Sequence, residues 1–142
     1  MALVGKKFPN VTVDAISKSG ENQRINILDE AVNKQTKVLL FWYPKDFTFV
    51  CPTELHAFQA ALEEFKKRNT IVIGASCDTN EVHFAWLNTP KNQGGIEGVS
   101  YPLLADTHRQ LANILGIVDQ EFEYDEEGNE AFTGSNVTYR AT

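Results

Sequence analysis

Cys51 is the residue in this chain with the most chemistry open to it, since a thiolate is an intrinsically strong nucleophile. It follows an apolar run, KVLLFWY at residues 37–43, and a loop, PKDFTFV, and it precedes a segment with helical periodicity. Pro52 suits a first helical position, which makes Cys51 the expected N-cap, facing unbonded backbone amides and the positive end of the dipole. Such placement lowers a thiol's pKa and populates the reactive form. Glu54 in the first turn also suits the dipole, although its charge slightly opposes the thiolate effect. Thr48, three residues before the cysteine, is close enough to aim a hydroxyl at the same point, and Pro44, Phe47 and Phe49 are placed to wall the sulfur from water. Residues 48 and 54 are not cysteines, so there is one nucleophile and no CxxC pair. The competing reading is a small buried hydrophobe.

The elements that must position this group follow from the hydrophobic pattern. Val11, Val13 and Ala15 alternate with polar residues, and Lys18-Ser19-Gly20 turns the chain into residues 23–27, an N-terminal hairpin. Asp29 is the expected cap of a short helical turn. The run at 37–43 reads as a strand covered on both faces, the usual state in a parallel sheet. Leu55, Phe58, Leu62 and Phe65 predict one helix closed by Lys66-Lys67-Arg68. Residues 70–76, TIVIGAS, predict a second buried strand, with Asp78 or Thr79 capping a helix through Trp86. Residues 101–105 predict a third strand, Asp106-Thr107 cap a third helix, and Gly116 ends it. Alternating strands and helices imply an α/β layer fold. Cys51 then lies beyond the C-terminal end of the first buried strand, where open α/β sheets place their ligand crevice. Residues 137–141 predict a further strand that begins as the sequence ends, so the 142 residues are expected to form one domain and an incomplete copy of its fold.

Charge and composition exclude several classes. The chain carries 13 Lys+Arg against 19 Asp+Glu, a net charge of −6. Six of those acids crowd into residues 121–130, EFEYDEEGNE, which read as an exposed excursion turning at Gly128-Asn129; outside it, 13 acids balance 13 bases. No basic cluster is present to neutralise a phosphate backbone, so no nucleic-acid partner is expected. No apolar run approaches the ~20 residues that span a bilayer. The opening MALVGKKFPN has the wrong order for a secretory signal, and two cysteines suit a reducing compartment, so a cytoplasmic location is expected. His56, His83 and His108 fall on three separate predicted helices without ligand spacing, and no metal site is expected. His83 and Trp86 read as core or interface, and Cys77 as a buried strand-end cysteine.

The block FWYPKDFTFVCPTE at residues 41–54 resembles the FYP-x-D-F-T-F-V-C-P-T-E signature of typical two-cysteine peroxiredoxins. The similarity extends through GKKFPN, VIGASCDTNEVHFAWLNTPKNQGG, YPLLAD and TYRAT, and so covers nearly the whole chain. The resemblance implies a thioredoxin-like α/β fold, with a central mixed sheet flanked by helices and C-terminal strands and a helix missing from this sequence. It implies a thiol peroxidase acting on hydrogen peroxide and organic hydroperoxides through a cysteine sulfenic acid. Cys51 matches the peroxidatic cysteine, Thr48 the peroxide-binding threonine and Pro44 the shielding proline. Arg140 matches the arginine that stabilises the thiolate, and Glu54 the glutamate that positions it. No cofactor is implied. Thioredoxin or a flavoprotein disulfide reductase is the implied electron donor, and a homodimer or ring of dimers the implied assembly. No residue matches the family's resolving cysteine, and Gly94-Gly95-Ile96-Glu97-Gly98 departs from its Gly-Gly-Leu-Gly loop. The alternative is a non-catalytic binding or redox-linked holdase module of the same fold.

Overall fold

A computed structural model describes residues 3–49, 51–119 and 121–142. Two five-residue strands, β1 (Thr12–Ile16) and β2 (Asn22–Asn26), form the expected antiparallel hairpin. Its turn uses Gly20 at φ +81°, a conformation that strains residues bearing a Cβ. Asn26 caps α1 (Ile27–Asn33) by accepting the Asp29 amide, so the cap stands three residues before the expected Asp29. The cap must have extended backbone, which the strand-end Asn26 has; Asp29 is already inside the first turn, where its charge suits the dipole.

The sheet is completed by β3 (Lys37–Trp42), β4 (Thr70–Ser76) and β5 (Leu103–Ala105), in the order β2-β1-β5-β4-β3. β3, β4 and β5 run parallel, and β1 is antiparallel to both of its neighbours, giving the expected mixed sheet. Side chains alternate between two cores. Phe41, Tyr43, Val72 and Leu103 face one, which also holds Cys51 and Trp86; Trp42, Ile73, Ala75 and Leu104 face the other, with Leu111 and Ala112.

The predicted single helix after Cys51 is two, α2 (Cys51–Ala60) and α3 (Leu62–Lys67), broken at Ala61 (φ −90°, ψ 1°). With the break in place, Phe58, Leu62 and Phe65 all pack on the Cys51 core. α4 (Asn80–Leu87) is capped by Thr79, whose side chain accepts the Val82 amide. α5 (Gln110–Leu115) follows Arg109 in the left-handed region; Asp106 caps it from a turn away, taking the amides of Leu111 and Ala112, and Gly116 closes it at φ +69°.

The far edge of the sheet departs from expectation in two ways. β3 is an outer strand among the described residues: its side chains pack on both cores, as expected, but Val38, Leu39 and Leu40 are only half-buried. A groove of about 490 Å³ runs beside them, lined by Phe8, Leu40, Leu115 and Ile117 among others. The predicted 137–141 strand is reduced to two isolated antiparallel bridges, Thr138 with Val118 and Ala141 with Trp42, because among the described residues no continuous partner runs beside it. The acidic stretch forms an exposed hairpin of β6 (Phe122–Tyr124) and β7 (Glu130–Phe132). Asp125 ties its turn by accepting the amides of Glu127 and Asn129, with Gly128 at φ +83°. No helix among the described residues is long and apolar enough to cross a membrane.

Candidate active site

Cys51 is the first residue of α2 rather than its cap, with Pro52 second. The helix therefore starts one residue earlier than expected, which Pro52 tolerates because the amide it lacks is still one of the unbonded four. Val50 lies outside the described residues. The thiol is 1% exposed and belongs to the core formed with Tyr43, Leu55 and Trp86. Cys51 and Glu54 are three apart and share one helix face.

Arg140 reaches that face from the other end of the sequence. Its neighbours are pinned: the Thr138 hydroxyl donates to the Tyr43 carbonyl at 3.0 Å, the Tyr139 amide to Ile117 at 2.8 Å, and the Trp42 amide to Ala141 at 2.7 Å. The guanidinium then spans both helix residues, Nε donating to Glu54 Oε1 at 2.6 Å and Nη2 to Cys51 Sγ at 3.7 Å. The Glu54 hydrogen bond and charge raise the pKa of Arg140, holding the guanidinium protonated. A fixed cation, using one nitrogen for the carboxylate and another for the thiol, thus faces a buried sulfur.

The remaining predicted residues are placed less directly. Thr48 is half-buried, and its hydroxyl donates to the Lys45 carbonyl at 3.1 Å, which leaves its oxygen lone pairs as acceptors. Pro44 borders a cleft of about 200 Å³ with Lys45, Cys77 and Arg109. Phe49 is fully exposed and does not wall the sulfur; Phe47 is half-exposed and sets its ring 6.0 Å from that of Trp86. The cover of Cys51 comes instead from the core side chains already named. Thr48, Pro52, His56 and Lys91 border a second opening of about 340 Å³ beside α2.

Cys77 is half-buried, and its thiol is pushed up to about 11, chiefly by burial and against the pull of Arg109. His56 donates to the Gly95 carbonyl at 3.1 Å and Trp86 to the Gly94 carbonyl at 2.9 Å, so the glycine loop is tied to both α2 and α4. His83 is wholly buried, as the core reading expected. His108 sits in the turn before α5 rather than on a helix. Among the described residues no cluster of three His, Cys, Asp or Glu is arranged to hold a metal ion.

Asp46 is the residue that sequence reasoning passed over. It is 2% exposed and accepts from the Tyr43 hydroxyl at 2.6 Å, with His83 Nδ1 also 2.6 Å away on its other oxygen. The only signal for it was its place in the loop between strand and cysteine.

The sequence profile of the AhpC/TSA family matches residues 4–142. Peroxiredoxin-1 of Gekko japonicus is 45% identical over 120 residues, covering 84% of this chain and 59% of that protein. Peroxiredoxin prdx-2 of Caenorhabditis elegans is 41% identical over 120 residues, 84% of this chain and 58% of its own. The chain therefore spans a little over half the length of these curated relatives. The reduced 2-Cys peroxiredoxin of Plasmodium vivax superposes with a TM-score of 0.75 at 29% identity, over 95% of this chain and 86% of that one. AhpC of Enterococcus faecalis gives 0.71 at 28% identity, over 98% and 86%. The fold is accordingly the thioredoxin-like α/β fold with an N-terminal hairpin, and the chain belongs to the AhpC/TSA family of peroxiredoxins.

Proposed function

We propose that this chain is a thiol peroxidase in which Cys51 reduces hydrogen peroxide and organic hydroperoxides. The observation that carries the reading is Arg140, held by Glu54 and donating to the Cys51 sulfur. The thiolate sulfur attacks the terminal peroxide oxygen, an S–O bond forms as the O–O bond breaks, and the electron pair leaves on the departing oxygen. That oxygen takes a proton and departs as alcohol or water, and the cysteine is left as sulfenic acid. Little proton chemistry is involved, so the rate comes from orientation and from donors preset for the developing charge. Arg140 supplies that charge stabilisation, and Glu54 aims it. Thr48, whose own proton is spent on Lys45, accepts the O–H of the bound peroxide. Pro44, at the start of the loop that leads from β3 to Cys51, is assigned the shielding of the thiolate.

Cys77 is a poor second thiol, because its raised pKa leaves it protonated at neutral pH. We therefore assign reduction of the sulfenic acid to a thiol from outside this site, with thioredoxin or a flavoprotein disulfide reductase as the final donor and a homodimer or ring of dimers as the working assembly. The test is a dimedone trap after one equivalent of hydrogen peroxide, followed by peptide mass spectrometry. The adduct is expected on Cys51 and absent from Cys51→Ser; an adduct confined to Cys77 would overturn the assignment.

A further inference from the structure

Three buried polar side chains next to the site are unused by the peroxide reaction: Tyr43, Asp46 and His83. We propose, resting on the peroxidase reading, that Asp46 and His83 are positioning residues, a buried carboxylate–imidazole pair that fixes the loop at 44–49 in the shape the reaction needs.

Their proton count follows from geometry. His83 Nε2 lies 2.9 Å from the Leu104 carbonyl, which only accepts, so Nε2 carries a hydrogen. His83 Nδ1 lies 2.6 Å from Asp46 Oδ2, and that contact requires one proton between the two atoms. The Tyr43 hydroxyl occupies Asp46 Oδ1, so both carboxyl oxygens are engaged. Burial alone pulls an imidazole toward neutrality, but the Asp46 hydrogen bond and charge outweigh it and raise the pKa of His83. Asp78 also faces the pair: its carboxylate takes the Asp46 amide at 2.9 Å and the Ser76 hydroxyl at 2.7 Å. Asp46 is thus held through side chain and backbone by residues that follow β3 and β4 and by His83 of α4, which β5 in turn anchors at Leu104.

The next residue shows what this anchoring maintains. Phe47 has φ +57°, a left-handed conformation that costs a non-glycine residue on the order of 1 kcal/mol and persists only where its surroundings impose it. Thr48 and Cys51 follow directly. Tyr43 links the second half of the site, since its carbonyl accepts from Thr138, two residues before Arg140. One buried network therefore sets the loop that carries Thr48 and the segment that carries Arg140. Small misplacements are costly, because an error of about 1 Å at a reacting group lowers a rate roughly a hundredfold.

The test compares Asp46→Ala with Asp46→Asn. In the asparagine variant, Oδ1 still accepts from Tyr43 and Nδ2 donates to neutral His83, so every hydrogen bond is retained while the shared proton is gone. Two rates are read on folded protein at a pH where each variant's alkylation has levelled off, so that thiolate fraction is equal: oxidation of Cys51 by hydrogen peroxide, and its alkylation by iodoacetamide, which needs no peroxide held by Thr48 and Arg140. Asp46→Ala is expected to lower the ratio of oxidation to alkylation about 10- to 100-fold, and Asp46→Asn to restore it to within about threefold of wild type. An unchanged ratio in Asp46→Ala, or an equal fall in both variants, overturns the proposal. Should Asp46→Ala not fold, Tyr43→Phe decides: a fall of about three- to tenfold supports the proposal, and an unchanged ratio refutes it. A slow wild-type oxidation would instead refute the underlying peroxidase reading.

Discussion

Arg140→Lys separates a fork from a point charge. In the structure, one guanidinium nitrogen, Nε, serves Glu54 at 2.6 Å and another, Nη2, serves the sulfur at 3.7 Å. A unit-charge pair 3.7 Å apart gains about 1 kcal/mol in water and about 4 kcal/mol at an effective dielectric of 20. The Arg140 side chain is 48% exposed while the sulfur is buried, which places the interaction between those limits, at about 2 kcal/mol; followed onto the breaking O–O bond, that stabilisation is worth up to roughly 30-fold in rate. A lysine ammonium keeps the charge, but its three donors radiate from one nitrogen and cannot reproduce the spaced Nε and Nη2 contacts, and the Glu54 carboxylate is its stronger partner. Arg140→Lys is therefore expected to lose nearly the whole factor, about 10- to 30-fold in the second-order rate constant. The double variant Glu54→Gln/Arg140→Lys frees the ammonium and should recover at least about fivefold over Arg140→Lys alone. Quench-flow with dimedone trapping, in a Cys77→Ser background, measures each rate. A lysine variant within threefold of wild type, or a double variant no faster than the lysine single, would refute the division of labour between the two nitrogens.

Other expectations read different parts of the molecule. Cys77, with its thiol near 11, should alkylate about tenfold faster per pH unit from 7 to 10 without levelling off; a plateau below pH 9 contradicts this. Gly95→Ala would drive a Cβ into the Thr89 carbonyl oxygen, a backbone atom, so the melting temperature should fall on the order of 5–10 °C; an unchanged value means the loop can move. The Asp46–His83 pair holds protons more tightly folded than unfolded, because burial raises Asp46 and Asp46 in turn raises His83. The stability His83 gains is complete below its ordinary value near 6.5 and is lost as pH rises through the higher folded value. The difference in melting temperature, wild type minus Asp46→Asn, should shrink from pH 6 to 9, and a difference that grows over that range contradicts the assignment.

What was legible in the sequence was local. Cys51, Pro52 and Glu54 fall within one turn, so residue type and spacing were enough to place a thiol at a helix start. The strand at 70–76 announces itself by its apolar run. Arg140 lies 86 residues from Glu54 and 89 from Cys51, and no pattern short of a family resemblance links them. Asp46 and His83 are 37 residues apart, and an acid in a loop gives no sign of being buried. The break at Ala61 was invisible because alanine is the best helix former, and the 3–4 spacing of its neighbours continues through it. Phe49 was misplaced for the opposite reason: an aromatic beside a buried cysteine suggests cover, yet its position on the loop turns it outward. The alternation at 137–141 is real, but a strand also needs a partner along its length, and among the described residues the segment makes two isolated bridges, at Thr138 and Ala141.

The central claim is that a fixed cation and a prearranged loop make Cys51 a peroxidase thiol rather than a buried cysteine. The measurement that tests it most directly is the second-order rate constant for Cys51 oxidation by substoichiometric hydrogen peroxide, set against a free cysteine at equal thiolate fraction. The structure predicts a rate at least about a hundredfold above the free thiol, in keeping with donors aimed at developing charge. A rate within about threefold of the free thiol would leave Arg140 with no catalytic effect to explain and would contradict the account.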